Sequence, residues 1–178
     1  MPRRPQSAGP PPPRRGFRRT WVNDRITVDA PAGEVWAVLA DIDAWPDWTP
    51  GLRAVRRRSG ELVPGRTRFT MHIELGPLPV FPTPCVLYAR DEADGRIEWG
   101  GGAPGTAIRH SFHVRALESG GAEIVHHEEA TNALALLLWP LERLIREHDA
   151  RWSAAIDAPL RGVQPRRCRH VGPGDGNW

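Results

Sequence analysis

Lysine is missing: every one of the 24 basic residues is arginine. A bias that complete is the mark of a GC-rich coding sequence, so no single arginine is read as a chemical choice. Cysteine is scarce. Cys85 and Cys168 have no metal-ligand spacing and make a poor disulfide pair, which excludes a disulfide scaffold and leads us to expect a reducing, cytoplasmic setting. No apolar stretch follows the N-terminal arginines, so no secretory signal is expected. The longest apolar run, residues 133–141, is about half the length a membrane-spanning helix needs, so no transmembrane segment is expected either. Acidic residues are missing from 1–20, which carry six arginines. Residues 161–178 carry a net three positive charges, so the overall +3 leaves a net charge of −6 for residues 21–160. A mildly acidic core between basic tails argues against nucleic-acid binding by the core domain.

Proline and glycine are plentiful, with 19 and 18 residues. Residues 1–16 (MPRRPQSAGPPPPRRG) cannot bury enough apolar surface to offset the entropy of ordering. We therefore expect a Pro/Arg-rich tail over 1–20, one domain over 21–160 and a basic tail over 161–178. The domain opens on ITVDAPAGEVWAVLADIDAWPDWTPG, Ile26 to Gly51. Ile26 and Val28 alternate with polar residues as a strand does. Pro31 suits a first helical turn capped by Asp29 or Ala30. Val35, Trp36, Val38 and Leu39 form a helical stripe. A second short helix is expected after Asp41, broken at Pro46, with Trp45 and Trp48 on either side of the break.

Strand patterns follow at Leu52–Arg58, Thr67–Ile73, Cys85–Arg90, Ile97–Trp99, Thr106–Leu117 and Ala122–Ala130. The Pro-rich residues 76–84 read as a loop or frayed edge. Gly100–Gly105 lacks a following helix to cradle phosphate and reads as a hairpin loop. A long helix is expected from near Asn132 to about Leu160, with Leu137, Leu141, Leu144, Ile145, His148, Trp152 and Ala155 on one stripe and a kink at Pro140. One helix against a curved sheet leaves a groove or cavity, the usual form of a small-molecule site. The run ALALLLWPL at the helix start is expected to bury against the sheet or form a dimer contact, with a lid or weak membrane contact as the alternative.

The stretch VDAPAGEVWAVLADIDAWPDWTPG resembles the N-terminal signature of the SRPBCC superfamily, which includes START lipid-transfer domains and polyketide cyclases. Gly65 with Phe69, Ile97-Glu98-Trp99-Gly100 and the hairpin around Gly120-Gly121 match at the right distances. The resemblance implies an α+β helix-grip fold: about seven antiparallel strands curved around a long C-terminal helix, with two short helices after the first strand. It further implies a cavity for a small hydrophobic or aromatic ligand. The bacterial branch that the chain most resembles is labelled polyketide cyclase/dehydrase.

The inward faces offer few polar groups: His110, His126 and Glu128, with His148 and Asp24 beside them. A histidine titrating near neutrality in an apolar cavity can serve as general acid or base toward an enolisable ketone, with Glu128 orienting it. These three are the candidate catalytic residues of a metal-independent cyclase or aromatase. The alternative is a carrier of lipids or other hydrophobic metabolites, in which they only orient ligand. Trp48, Phe69, Met71, Trp99, Phe112, Leu144, His148 and Trp152 are the candidate ligand-binding residues, and Trp45 with Trp48 is expected to close one end of the cavity. No HExxH-type spacing is present, so neither metal nor cofactor is expected. Monomer and dimer remain open.

Overall fold

The structure is a computed structural model that describes residues 18–58, 60–101 and 107–162. Residues 1–17 and 163–178 of the two expected tails and most of the Gly100–Gly105 loop lie outside the described residues, whereas residues 18–20 and 161–162 of those tails belong to the first strand and the last helix. Seven strands form one antiparallel sheet: β1 (Arg18–Val28), β2 (Leu52–Arg57), β3 (Arg68–Ile73), β4 (Phe81–Asp91), β5 (Arg96–Gly101), β6 (Ile108–Ala116) and β7 (Ala122–Thr131). Their order in space is β1-β7-β6-β5-β4-β3-β2. The first two strands in sequence are therefore opposite edges. What joins them is the helical unit α1 (Ala32–Ala40) and α2 (Trp45–Trp48), which carries the chain across the width of the sheet. This is the helix-grip architecture that the resemblance implied.

Pro31 and Pro46 of the opening unit act as starts, not stops. Pro31 is itself the N-cap of α1, its carbonyl accepting from the amides of Glu34 and Val35, and Asp29 makes no cap. Pro46 lies in the first turn of α2, where a missing N–H costs nothing, so it opens the second helix instead of breaking it. The Pro-rich stretch also departs from expectation. β4 begins at Phe81, and Pro82 and Pro84 pair with His72 and Thr70 of β3. Pairing of β4 with β5 begins only at Val86, so over residues 81–84 the strand has one hydrogen-bonded neighbour and tolerates proline as an edge does.

The expected long helix is three helices and a 3₁₀ turn. α3 (Asn132–Leu137) gives way to the turn Trp139–Leu141, then α4 (Glu142–Ala155) and α5 (Asp157–Gly162). Pro140 accounts for the first interruption. Pro159 accounts for the second, since it has no amide to offer the carbonyl of Ala155. The segments face different ways. Leu136, Leu137 and Trp139 are exposed, so the apolar start is not buried against the sheet as expected. The guanidinium of Arg19 lies over the Trp139 ring, 6.0 Å from its centre. No helix among the described residues is long and apolar enough to cross a membrane.

Two apolar groups fill the fold. The larger joins α1, α2 and the inner faces of β3 to β7 to Trp152 and Ile156. The smaller gathers Trp21, Val22, Leu75, Ala130, Ala135 and Ile145, with Leu141 and Leu144 packed against it.

Candidate functional site

Strand alternation aims His110, Phe112 and Val114 of β6 and Ile124, His126 and Glu128 of β7 into the space under α4, where all six are buried. The register sets His110 opposite Glu128 and Phe112 opposite His126, so the two histidines are diagonal neighbours. They meet through their Nε2 atoms, their rings nearly parallel. From β1, Asp24 stands opposite His126. From α4, Ser153 completes a chain: its Oγ donates to Asp24 Oδ2 at 3.4 Å and lies 2.7 Å from His126 Nδ1. A hydroxyl has one hydrogen to give. With it on Asp24, Ser153 accepts from His126 Nδ1–H, which leaves His126 Nε2 as acceptor for His110 Nε2–H.

Burial controls the charges. Desolvation, reinforced by neighbouring imidazoles, lowers His126 to about 3 and holds His110 well below 6.5. Desolvation with Arg151 nearby lowers His148 to about 4. The expectation of a histidine titrating near neutrality therefore fails, because a charged imidazole would have no water around it. The groups poised higher are carboxyls. Glu128 is hydrogen-bonded to Asp149 of α4; desolvation and the Asp149 charge push it well above 4.5, so it holds a proton. Asp149 itself rises to about 6, mainly by desolvation, opposed by the Glu128 hydrogen bond.

Asp149 and Ser153 were not singled out from the sequence. A signal existed: Asp149 interrupts the apolar stripe between Ile145 and Trp152, and an acid on a buried helix face needs a partner.

The expected ligand-binding residues divide. Phe69, Met71, Trp99, Phe112 and Trp152 are buried together. They do not line an open chamber. Trp45, expected at one end, sits at the centre, 4.5 Å from Trp99, 5.5 Å from Trp152 and 6.3 Å from Phe69 between ring centres. Trp99 also stacks on His110 at 4.4 Å. The expected cavity is filled by these rings. Leu144 belongs to the smaller apolar group, against Gly76. The depressions that the structure does show, about 270 and 540 Å³, lie around the β2–β4 side and are lined by Arg56, Arg57, Arg58, Arg66 and Arg68.

One end of the filled interior is polar and unsatisfied. Among the described residues nine buried side-chain nitrogens and oxygens lack a partner, and six of them come from residues 48–49 and 148–152: Trp48 Nε1, Thr49 Oγ1, both ring nitrogens of His148, Asp149 Oδ2 and Trp152 Nε1. Trp48 is half-buried, its ring 6.4 Å from that of Trp152, which in turn is 6.1 Å from His148. Gly51, at φ +81°, makes room: a Cβ there would stand 3.0 Å from His148 Nδ1. Each such group costs about 1–3 kcal/mol while it stays unpaired.

A family model described as polyketide cyclase/dehydrase and lipid transport matches residues 19–163. A protein of Penicillium oxalicum named oxopyrrolidines biosynthesis cluster protein O is 28% identical over 154 residues, 75% of each chain being covered. Among solved structures, the Zhui aromatase/cyclase of Streptomyces sp. R1128 superposes with a TM-score of 0.67 at 20% identity, covering 88% of this chain and 99% of that one. Norcoclaurine synthase of Thalictrum flavum gives 0.64 at 18%, covering 83% and 89%. A START superfamily protein of Mycobacterium smegmatis gives 0.62 at 14%, covering 79% and 96%.

Proposed function

The chain belongs to the polyketide cyclase/dehydrase and lipid transport family, and from that premise we propose that it binds a small aromatic or polycarbonyl compound between the sheet and α4. The observation that carries this reading is the cluster of unpartnered polar atoms at residues 48–49 and 148–152. Indole N–H groups only donate. Trp48 and Trp152 therefore call for acceptor atoms, and Thr49 and His148 can add donors beside them. Ketone and phenolic oxygens on a flat ring system fit that demand, with the half-buried Trp48 ring as a stacking partner. Trp48, the partly exposed member, is the side chain whose displacement admits such a guest.

Glu128, His110 and His126 adjoin this region. Glu128 carries a proton that it can give to a ketone oxygen, and the neutral imidazoles of His110 and His126 can hydrogen-bond the substrate beside it. A reactive poly-β-ketone held in the right fold needs little more to cyclise. The carrier alternative keeps the same ligand class without turnover.

Titrating the full chain with a hydroxyanthraquinone, followed by tryptophan fluorescence, tests the binding. Saturable quenching that weakens in Trp152→Phe is expected; no change at any concentration short of insolubility rejects the reading. With a linear poly-β-ketone, Glu128→Gln separates the alternatives. Binding retained with turnover reduced about 10²–10⁴-fold marks catalysis, and no turnover in either protein marks carriage.

A further inference from the structure

Among the unsatisfied atoms one is a carboxylate oxygen, and it is not alone. Asp149 Oδ2 is buried without a partner on a residue only 2% exposed. One ring nitrogen of His110, one of His126 and a carboxylate oxygen of Asp149 lie within 4.8 Å of one another, all three residues buried. They come from β6, β7 and α4, so no sequence spacing announces them.

We propose that His110, His126 and Asp149 bind a divalent transition-metal ion, zinc being the ion that two imidazoles and one carboxylate suit best. Donors around one tetrahedral zinc stand about 3.3 Å apart, given metal–ligand bonds of about 2.0–2.2 Å. The present spacing therefore needs side-chain rotation and no movement of an element. The supporting shell is already built. His126 is held by its Nδ1 through Ser153 to Asp24, which fixes its tautomer and leaves Nε2 as the bare nitrogen, its lone pair now engaged by His110 Nε2–H. Asp149 is held by Glu128. On binding, His110 moves its single ring proton from Nε2 to Nδ1, staying neutral, because only the bare nitrogen can coordinate. Three protein ligands leave a fourth position open toward Trp99 and Trp152, where a ligand carbonyl would be polarised. The metal site shares His110, His126 and Asp149 with the ligand reading above but is tested apart from it, since its test needs zinc or cobalt alone.

Untagged full-length protein, stripped with a chelator and dialysed, is titrated with Zn²⁺ by calorimetry and with Co²⁺ by visible absorption. One equivalent of bound metal is expected, with the intense d–d bands of four-coordinate cobalt. The thermal midpoint should rise by about 5 °C or more at a hundredfold excess over Kd. Asp149→Asn and, separately, His110→Gln should each weaken binding at least tenfold, with circular dichroism reporting that each variant is folded. A variant that fails to fold is replaced by Ser153→Ala, which leaves the three ligands in place and should weaken binding about 10-fold or more through the lost support of His126. No stoichiometric binding, or binding of equal strength in the folded variants, overturns the site. Equal strength would assign the metal to a site outside these three residues.

Discussion

Two carboxyl groups and three imidazoles are buried under one helix, and burial pulls their proton affinities in opposite directions. Below about pH 6.5 the unfolded chain protonates His110, His126 and His148. The fold resists this down to about 4 for His148 and about 3 for His126. These groups make stability fall as pH drops through that window. Glu128 and Asp149 do the reverse. The fold keeps protons that the unfolded chain releases above 3.8 to 4.5, so stability falls as pH rises, through about 6 for Asp149, with Glu128, raised well above 4.5, acting in the same direction. Three imidazoles outweigh two carboxyls on the acid side, and only the carboxyls act above 6.5. Chelator-treated protein should therefore be most stable near pH 6–7, as read from urea midpoints at pH 5, 6.5 and 8. Glu128→Gln should flatten the alkaline limb and leave the acid limb. A wild-type midpoint still climbing at pH 8 would contradict this charge assignment. At the same scale, Trp45 touches three other rings and has no exposed surface. Its indole N–H donates to the Leu39 carbonyl at 3.0 Å. Trp45→Ala should cost about 3–5 kcal/mol in chemical denaturation, whereas a mere gate at the cavity end would cost little.

At the level of elements, the C-terminal segment shows where pattern reading succeeds and where it stops. The apolar stripe is real over Ile145, His148 and Trp152, all buried. Extended back to Leu137 it fails, because Pro140 interrupts the helix and rotates the earlier turn outward. Leu137→Ser should therefore shift stability by less than about 0.5 kcal/mol, while Ile145→Ala should cost about 2–5 kcal/mol. Equal losses at the two sites, measured by urea unfolding, would restore the single long helix. The strands were legible because alternation has a short period: the inward set His110, Phe112, Val114 and the set Ala122, Ile124, His126, Glu128 stand as the sequence pattern places them. The prolines of β4 were harder, since Pro82 and Pro84 owe their position to which backbone neighbour is present, a matter settled by tertiary pairing. For the same reason the site was only half legible. His110, His126 and Glu128 could be assigned to one face from period two. That Asp149 meets Glu128, and Ser153 meets His126, depends on how α4 lies across the sheet.

As a whole, the molecule is a curved sheet closed on a helix whose interior is packed with rings at one end and left with unanswered hydrogen-bonding groups at the other. Core packing of this density resists a guest unless binding returns what it displaces. The six unpartnered atoms of residues 48–49 and 148–152 supply that return, since each one satisfied recovers part of its burial cost. The arginines lining the outer depressions sit apart from this interior and act on the field around the protein more than on the ligand. The account predicts that the fold is incomplete without its guest. Native mass spectrometry of the full chain purified from its own host tests that most directly. An added mass matching one small aromatic or polycarbonyl compound, lost on Trp152→Ala, is the predicted result. A spectrum holding only the bare chain, together with no saturable binding of acceptor-rich aromatic compounds offered in vitro, would contradict it.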